Sequence, residues 1–235
     1  MLWKHLQVDG GIGDWIFNWL MKGSLVIGHD GSYTPHLANN VCACALVIFC
    51  SHTDQFTDVT WVEKSTKQAA NNYRAEILGG CRTQQIIKAA IMGRNVAGHH
   101  TPMVGCDYMG VVCHDNHPCR PMLEKQPQSN VLRYFKGLMA TSQIGERMQH
   151  VYGHADEFLS EEEMSPEQRV NCRADKLATA ALIAAVDTNK FISSIFPLEK
   201  VCVEITGEGI TGSPKNVGRA GRTSATRQTG SGTNV

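Results

Sequence analysis

The chain has 235 residues, 42% hydrophobic and 19% charged, and its 22 basic and 22 acidic side chains cancel to a formal net charge of zero. That length holds one α/β domain with tails, or at most two small domains. A neutral chain is not a basic glove for nucleic acid, so any such binding must come from local patches or from metal ions. The nine cysteines form no Cys-x-x-Cys pair, and most sit in apolar surroundings, as Cys42, Cys44 and Cys50 do. With no basic-then-apolar leader at the start, this usage predicts reduced, intracellular thiols. No apolar run approaches the ~20 residues that a membrane span requires.

In chain order, residues 1–23 form an N-terminal arm in which Trp15, Ile16, Trp19 and Leu20 have the spacing of one helical face. Gly10-Gly11-Ile12-Gly13 follows no strand and lacks a phosphate-loop lysine, so it reads as a turn. The run Leu25-Val26-Ile27 into Asp30-Gly31-Ser32 predicts a strand ending in a turn. Val41 to Ser51 and Phe56 to Val62 predict two more strands. Residues 71–90 switch to helical spacing behind the capping types Asn71 and Asn72, despite Gly79 and Gly80. Met103 to Cys113 reads as a strand with Asp107 inside it. Residues 114–129 read as loop, and Val131, Leu132, Phe135, Leu138 and Met139 as a helical stripe.

Gln149 to Gly153 predicts a short strand leading to His154. Ser165-Pro166-Glu167-Gln168 is an N-cap, a proline at the first helical position and a capping-box glutamine. The stripe Val170, Ala174, Leu177, Ala178, Ala181, Leu182 and Ala185 follows it. Residues 188–212 are a C-terminal extension. Residues 213–235, rich in Gly, Ser, Thr, Asn and Arg without an acid, predict a disordered tail. Three strands followed by alternating helices and strands imply an α/β domain over residues 24–187, built on a mixed sheet with helices on its faces.

Four acids stand out by position: Asp30 at the end of a strand, Glu76 near the start of a helix, Asp107 in an apolar strand and Asp175 on the last helix. An acid in an apolar strand is costly unless paired or metal-bound. Carboxylates gathered in one place repel one another unless cations hold them, and Mg²⁺ takes oxygen ligands. Periodicity does not show that these four meet. By contrast, Cys113, His114, His117 and Cys119 carry zinc-ligand types at a spacing that fits no standard finger, so that segment reads as a polar loop. The tail's Arg219, Arg222 and Arg227 read as solvated.

Five short motifs go further. They are Asp30-Gly31-Ser32, Asn72-Tyr73-Arg74-Ala75-Glu76, Cys106-Asp107-Tyr108, Val151-Tyr152-Gly153-His154, and Asn171-Cys172-Arg173-Ala174-Asp175-Lys176-Leu177-Ala178. In this order they resemble the type 1 ribonuclease H family as it occurs in retroelement polyproteins, over roughly residues 24–187. Tyr73 stands for the family's second Asn, and Cys106 and Tyr108 stand for its Thr and Ser. The resemblance implies a ribonuclease H-like fold with a five-stranded mixed sheet, three strands antiparallel and the rest parallel to the first, and helices on both faces. It implies hydrolysis of the RNA strand of RNA–DNA hybrids with two Mg²⁺ ions, Mn²⁺ substituting, held by Asp30, Glu76, Asp107 and Asp175. It makes His154 a proton-handling residue on a mobile loop, and Asn72, Ser32 and Asn171 substrate contacts, with Asn72 near the 2′-hydroxyls that distinguish RNA from DNA.

The implied partners are the hybrid itself and a reverse transcriptase domain of a parent polyprotein; no membrane is implied. The family's basic handle is missing, with residues 113–130 in its place, and the stretch from His154 to Asp175 is longer and more acidic than in the simplest members. Ser32 stands where an exonuclease of the DEDD type would carry an acid. Asp175 stands where a DDE transposase would carry Glu. A binding module that keeps the fold without turnover is the non-enzymatic alternative, since fold alone does not settle function.

Overall fold

The strongest apolar run in the sequence becomes the middle of the sheet. In the computed structural model, which describes residues 12–64, 70–97, 100–118, 120–122, 126–142, 147–190 and three short later strands, β2 (Val41–Cys50) is buried along its whole length. It pairs antiparallel with β1 (Leu25–Ser32) on one side and β3 (Gln55–Lys64) on the other. β4 (Met103–Cys106) runs parallel to β1, and β5 (Arg147–His150) parallel to β4. The order β5-β4-β1-β2-β3 is the expected five-stranded mixed sheet. A sixth, two-residue strand, β6 (Ile192–Ser193), adds parallel to β3, so the sheet reaches past residue 187. A separate antiparallel pair joins β7 (Val203–Ile205) to β8 (Glu208–Ile210).

The side chains of β2 alternate between two cores, which is why the strand reads as continuously hydrophobic. Cys42, Cys44, Leu46, Ile48 and Cys50 face one core, shared with α1 (Ile12–Met21), α2 (Asn72–Ile91), α3 (Met109–Asn116) and α4 (Ser129–Ala140). Ala45, Val47 and Phe49 face the other, under α5 (Pro166–Thr188). The cysteines act here as small hydrophobes, and all seven described are free thiols. The arm's helical face is used as such: Ile16 and Leu20 of α1 are buried in the larger core. No helix among the described residues is long and apolar enough to cross a membrane.

Two sequence expectations fail, for one reason. The apolar stretch Met103 to Cys113 divides: β4 stops at Cys106, and Met109–Asn116 is helical. A short buried apolar run has no period long enough to separate strand from helix. Asp107 therefore sits just past the strand end, not inside the strand, and the loop expected from residue 114 begins only after α3. β5 likewise lies earlier than the expected Gln149 to Gly153. The calls on residues 1–11, on Cys119 and on the tail 213–235 lie outside the described residues.

The last helix begins as its sequence dictates. The Ser165 hydroxyl accepts from the Gln168 amide at 3.2 Å, and the Gln168 side chain accepts from the Ser165 amide at 2.9 Å. Ser165→Ala removes one half of that box. It is expected to cost about 1 kcal/mol, read as a lowered urea midpoint with an unchanged slope.

Candidate active site

The site is made where β1 ends and two helices approach it from opposite faces. Gly28 and Gly31 make the approach possible. A Cβ on Gly28 would lie 2.6 Å from Val170 of α5, and one on Gly31 would lie 2.6 Å from the Ala75 carbonyl carbon of α2. With no side chain in the way, Glu76 reaches the strand. The Gly31 amide donates to both Asp30 Oδ1 at 2.8 Å and Glu76 Oε1 at 3.2 Å, tying the two carboxylates to one point of backbone. The helix start is fixed by Asn71, whose side chain accepts from the Arg74 amide at 2.8 Å.

Asp30, Glu76 and Asp107 each offer an oxygen, and these oxygens all lie within 4.8 Å of one another. Together with Asp175 of α5 they line one cavity of about 290 Å³. His154, Asn72, Gly31, Ser32, Tyr33 and Tyr108 complete its wall, in which no lysine or arginine stands among the described residues. His154 follows β5 in a left-handed backbone conformation (φ 52°) that opens a short 3₁₀ turn. Its side chain is 60% exposed, with Nδ1 3.5 Å from Asp175 Oδ2 and 3.9 Å from Glu157 Oε1.

Burial and mutual repulsion set the electrostatics. Asp30 is pushed from the ordinary 3.8 up to about 8, first by burial and then by the charge of Asp107. Burial, with Asp30 next, drives Glu76 well above the usual carboxylate range. Asp107 is raised too, chiefly by burial, with His154 pulling the other way. Burial and mutual repulsion thus favour the protonated forms of these carboxylates when no cation is near, which is the state of a site that lacks its counter-charge. The donors fit a hard divalent cation: oxygen only, closely spaced, facing a polar opening.

Of the other expected contacts, Ser32 is largely buried and its hydroxyl lies 3.1 Å from that of Thr179 on α5. Asn171 needs a correction. It is 1% exposed and donates from Nδ2 to the His29 carbonyl at 3.1 Å, so it fastens α5 to β1 and does not face the cavity. Tyr33 and Tyr108, which do face it, were not named as site residues from the sequence, although Tyr108 was quoted as a motif departure. Each directly follows a motif residue, and that adjacency was the available signal. Tyr108 stacks on Tyr73 with ring centroids 5.5 Å apart and 26° between planes. Two of the three positions at which the motifs depart from the family pattern therefore touch each other.

Sheet order and helix placement define a ribonuclease H-like fold, with the carboxylate cleft at the end of its first strand. No family model matches the sequence, and neither does any curated protein. Among solved structures, the chain is similar to LC11 ribonuclease H1 in complex with an RNA/DNA hybrid, at 13% identity over 69% of this chain and 99% of that one, with a TM-score of 0.48. It is similar to the foamy viral protease–reverse transcriptase in complex with double-stranded DNA, at 15% identity over 70% and 97%, with a TM-score of 0.49. A third likeness is to ribonuclease H1 of the halophilic archaeon Halobacterium salinarum, at 17% identity over 68% and 98%, with a TM-score of 0.42.

Proposed function

We propose that the chain hydrolyses the RNA strand of RNA–DNA hybrids, with Asp30, Glu76, Asp107 and Asp175 holding two Mg²⁺ ions for which Mn²⁺ substitutes. The observation that carries this reading is the convergence of three carboxylate oxygens within 4.8 Å, beside Asp175 and in an open polar cleft. Such ions, when bound, lower the charge that builds up on phosphate oxygens and make water a better nucleophile.

The protein's own residues do the rest. The Gly31 amide fixes the directions of Asp30 and Glu76 before substrate arrives, which removes reorganisation from the reaction. His154 turns Nδ1 toward Asp175 and Glu157, leaving Nε2 to pass a proton to the departing 3′-oxygen. The products are then 3′-hydroxyl and 5′-phosphate ends. Asn72, exposed on the rim, reads the 2′-hydroxyls. The parent context is a retroelement polyprotein inside the cell, whose reverse transcriptase domain supplies the basic surface that the described residues of the cleft wall lack.

The deciding experiment compares matched RNA–DNA, DNA–DNA and RNA–RNA duplexes over a range of Mg²⁺ and salt. Only the hybrid should be cut, and cutting should fall steeply with salt because phosphate contacts dominate affinity. Equal cutting of all three would refute hybrid specificity. Metal binding without any cutting would favour a binding module. His154→Ala should slow turnover by at most about 10²–10⁴-fold, the range of a single proton-transfer group, with its largest effect on kcat.

A further inference from the structure

A second cluster lies directly behind the cleft. His29 of β1, Cys106 at the end of β4 and Glu76 of α2 bring a ring nitrogen, a sulfur and a carboxylate oxygen within 4.8 Å of one another. Strands β1 and β4 are paired in parallel up to Gly28 and Gly105, which brings the next residue of each side by side. The His29 ring fits because the helix above it has Gly79 there: a Cβ at that position would lie 2.6 Å from Nδ1.

Three observations mark this cluster as more than packing. His29 is 0% exposed, and neither of its ring nitrogens has a hydrogen-bond partner among the described residues. Glu76 Oε2 is buried and unpartnered in the same sense. Buried polar atoms without partners carry a desolvation cost, and three in one place call for a ligand. The donor set is also chemically distinct from the oxygen-only cleft. Imidazole, thiolate and carboxylate suit a borderline-soft ion of the zinc class, not Mg²⁺.

We propose that His29, Glu76 and Cys106 form a binding site for one Zn²⁺-class ion, which competes with the cleft's hard cations by engaging their shared ligand, Glu76. Charge balance favours it. A divalent ion with one thiolate, one carboxylate and a neutral imidazole sums to zero, so no net charge is buried. The Cys106 thiol proton, and the proton that Glu76 carries in the metal-free chain, are released to solvent as the metal–ligand bonds form. The ligand atoms must close in by less than about 1 Å to reach ordinary zinc–ligand distances. The zinc-class site stands on its own ligands, and only the competition rests on the proposed reading of the cleft as a hard-cation site.

The test uses the full chain stripped with chelator and titrated with Co²⁺ as a coloured stand-in for Zn²⁺. One equivalent should give a thiolate-to-cobalt charge-transfer band that Zn²⁺ bleaches. Cys106→Ser should remove the band and weaken Zn²⁺ binding by about 100-fold or more, at least the loss seen for removing a metal-site support. Zn²⁺ should weaken Mn²⁺ binding, read by electron paramagnetic resonance, at least tenfold in the unaltered chain and not in Cys106→Ser. If Cys106→Ser does not fold, X-ray absorption of the zinc-loaded unaltered chain decides, with one sulfur at about 2.3 Å expected among nitrogen and oxygen neighbours. Absence of the band, its persistence in Cys106→Ser, or a shell without sulfur would overturn the site. Mn²⁺ affinity indifferent to Zn²⁺ would overturn the competition.

Discussion

Asp30→Asn should abolish Mg²⁺-dependent hydrolysis while making the metal-free chain more stable. The activity loss should exceed about 10³-fold, since one preorganised donor alone is worth 10²–10³ and here a shared ionic ligand disappears. The stability gain follows from proton linkage. In the folded metal-free chain Asp30 keeps its proton up to about pH 8, whereas its ordinary value is 3.8. Between those limits folding takes up a proton, so the stability of the unaltered chain falls as pH rises through the window. Asn carries no such proton, so the variant's advantage should be absent near pH 4 and grow toward pH 8. Urea midpoints in chelator across that range measure it. The same proton explains why Mg²⁺ should bind more tightly, and raise the melting temperature more, at the alkaline end. An Asp30→Asn chain that still cuts hybrid would remove the cleft from consideration.

The largest stability effect is expected at Arg74, which sits two residues before Glu76 and is 0% exposed. Its guanidinium donates to Glu63 Oε1 of β3 through Nε at 3.0 Å and Nη2 at 2.5 Å, and through Nη1 to Gln128 and Asn130 at 3.0 and 3.4 Å. One side chain thus ties β3, α2 and the start of α4 together. Arg74→Met would leave the Glu63 carboxylate buried without its cation, at a cost of roughly 3–5 kcal/mol. Adding Glu63→Leu should recover most of that loss, because two apolar groups replace the pair. A double-mutant cycle by urea unfolding reads both effects, and additive losses would mean that the pair is not coupled.

Much of the sheet was legible because β2 is buried on both faces and α5 carries a full set of helix-start signals. The four acids were legible for a related reason. Asp30, Glu76 and Asp107 lie at or near element boundaries, where capping types, glycines or a break in hydrophobicity leave a mark, and Asp175, in the middle of α5, was legible through its motif. What was not legible came from short elements and from packing. α3 is only eight residues long and shows little contrast between its faces, so Val111 and Val112 read as strand. Asn171 lies in a motif, yet its side chain turns inward to a carbonyl 142 positions earlier in the chain, a pairing no local pattern encodes. The His29–Cys106 juxtaposition likewise depends on parallel pairing of β1 with β4, and sequence spacing carries no trace of that register.

The Asn171 bond has a consequence for the order of events during synthesis. α5 brings Asp175, the fourth carboxylate, and it docks on β1 only by closing a span of 142 residues. Closing so long a span is slow beside local helix or hairpin formation. A nascent chain therefore carries β1–β4 and three of the four acids well before the cleft is complete. On the proposed reading, the cleft cannot assemble around a hybrid until its last helix has emerged from the ribosome and locked. The four-carboxylate cleft is thus complete only when folding is finished. Ribosome-stalled chains ending before and after α5 should differ in Mn²⁺ affinity as sharply as in activity.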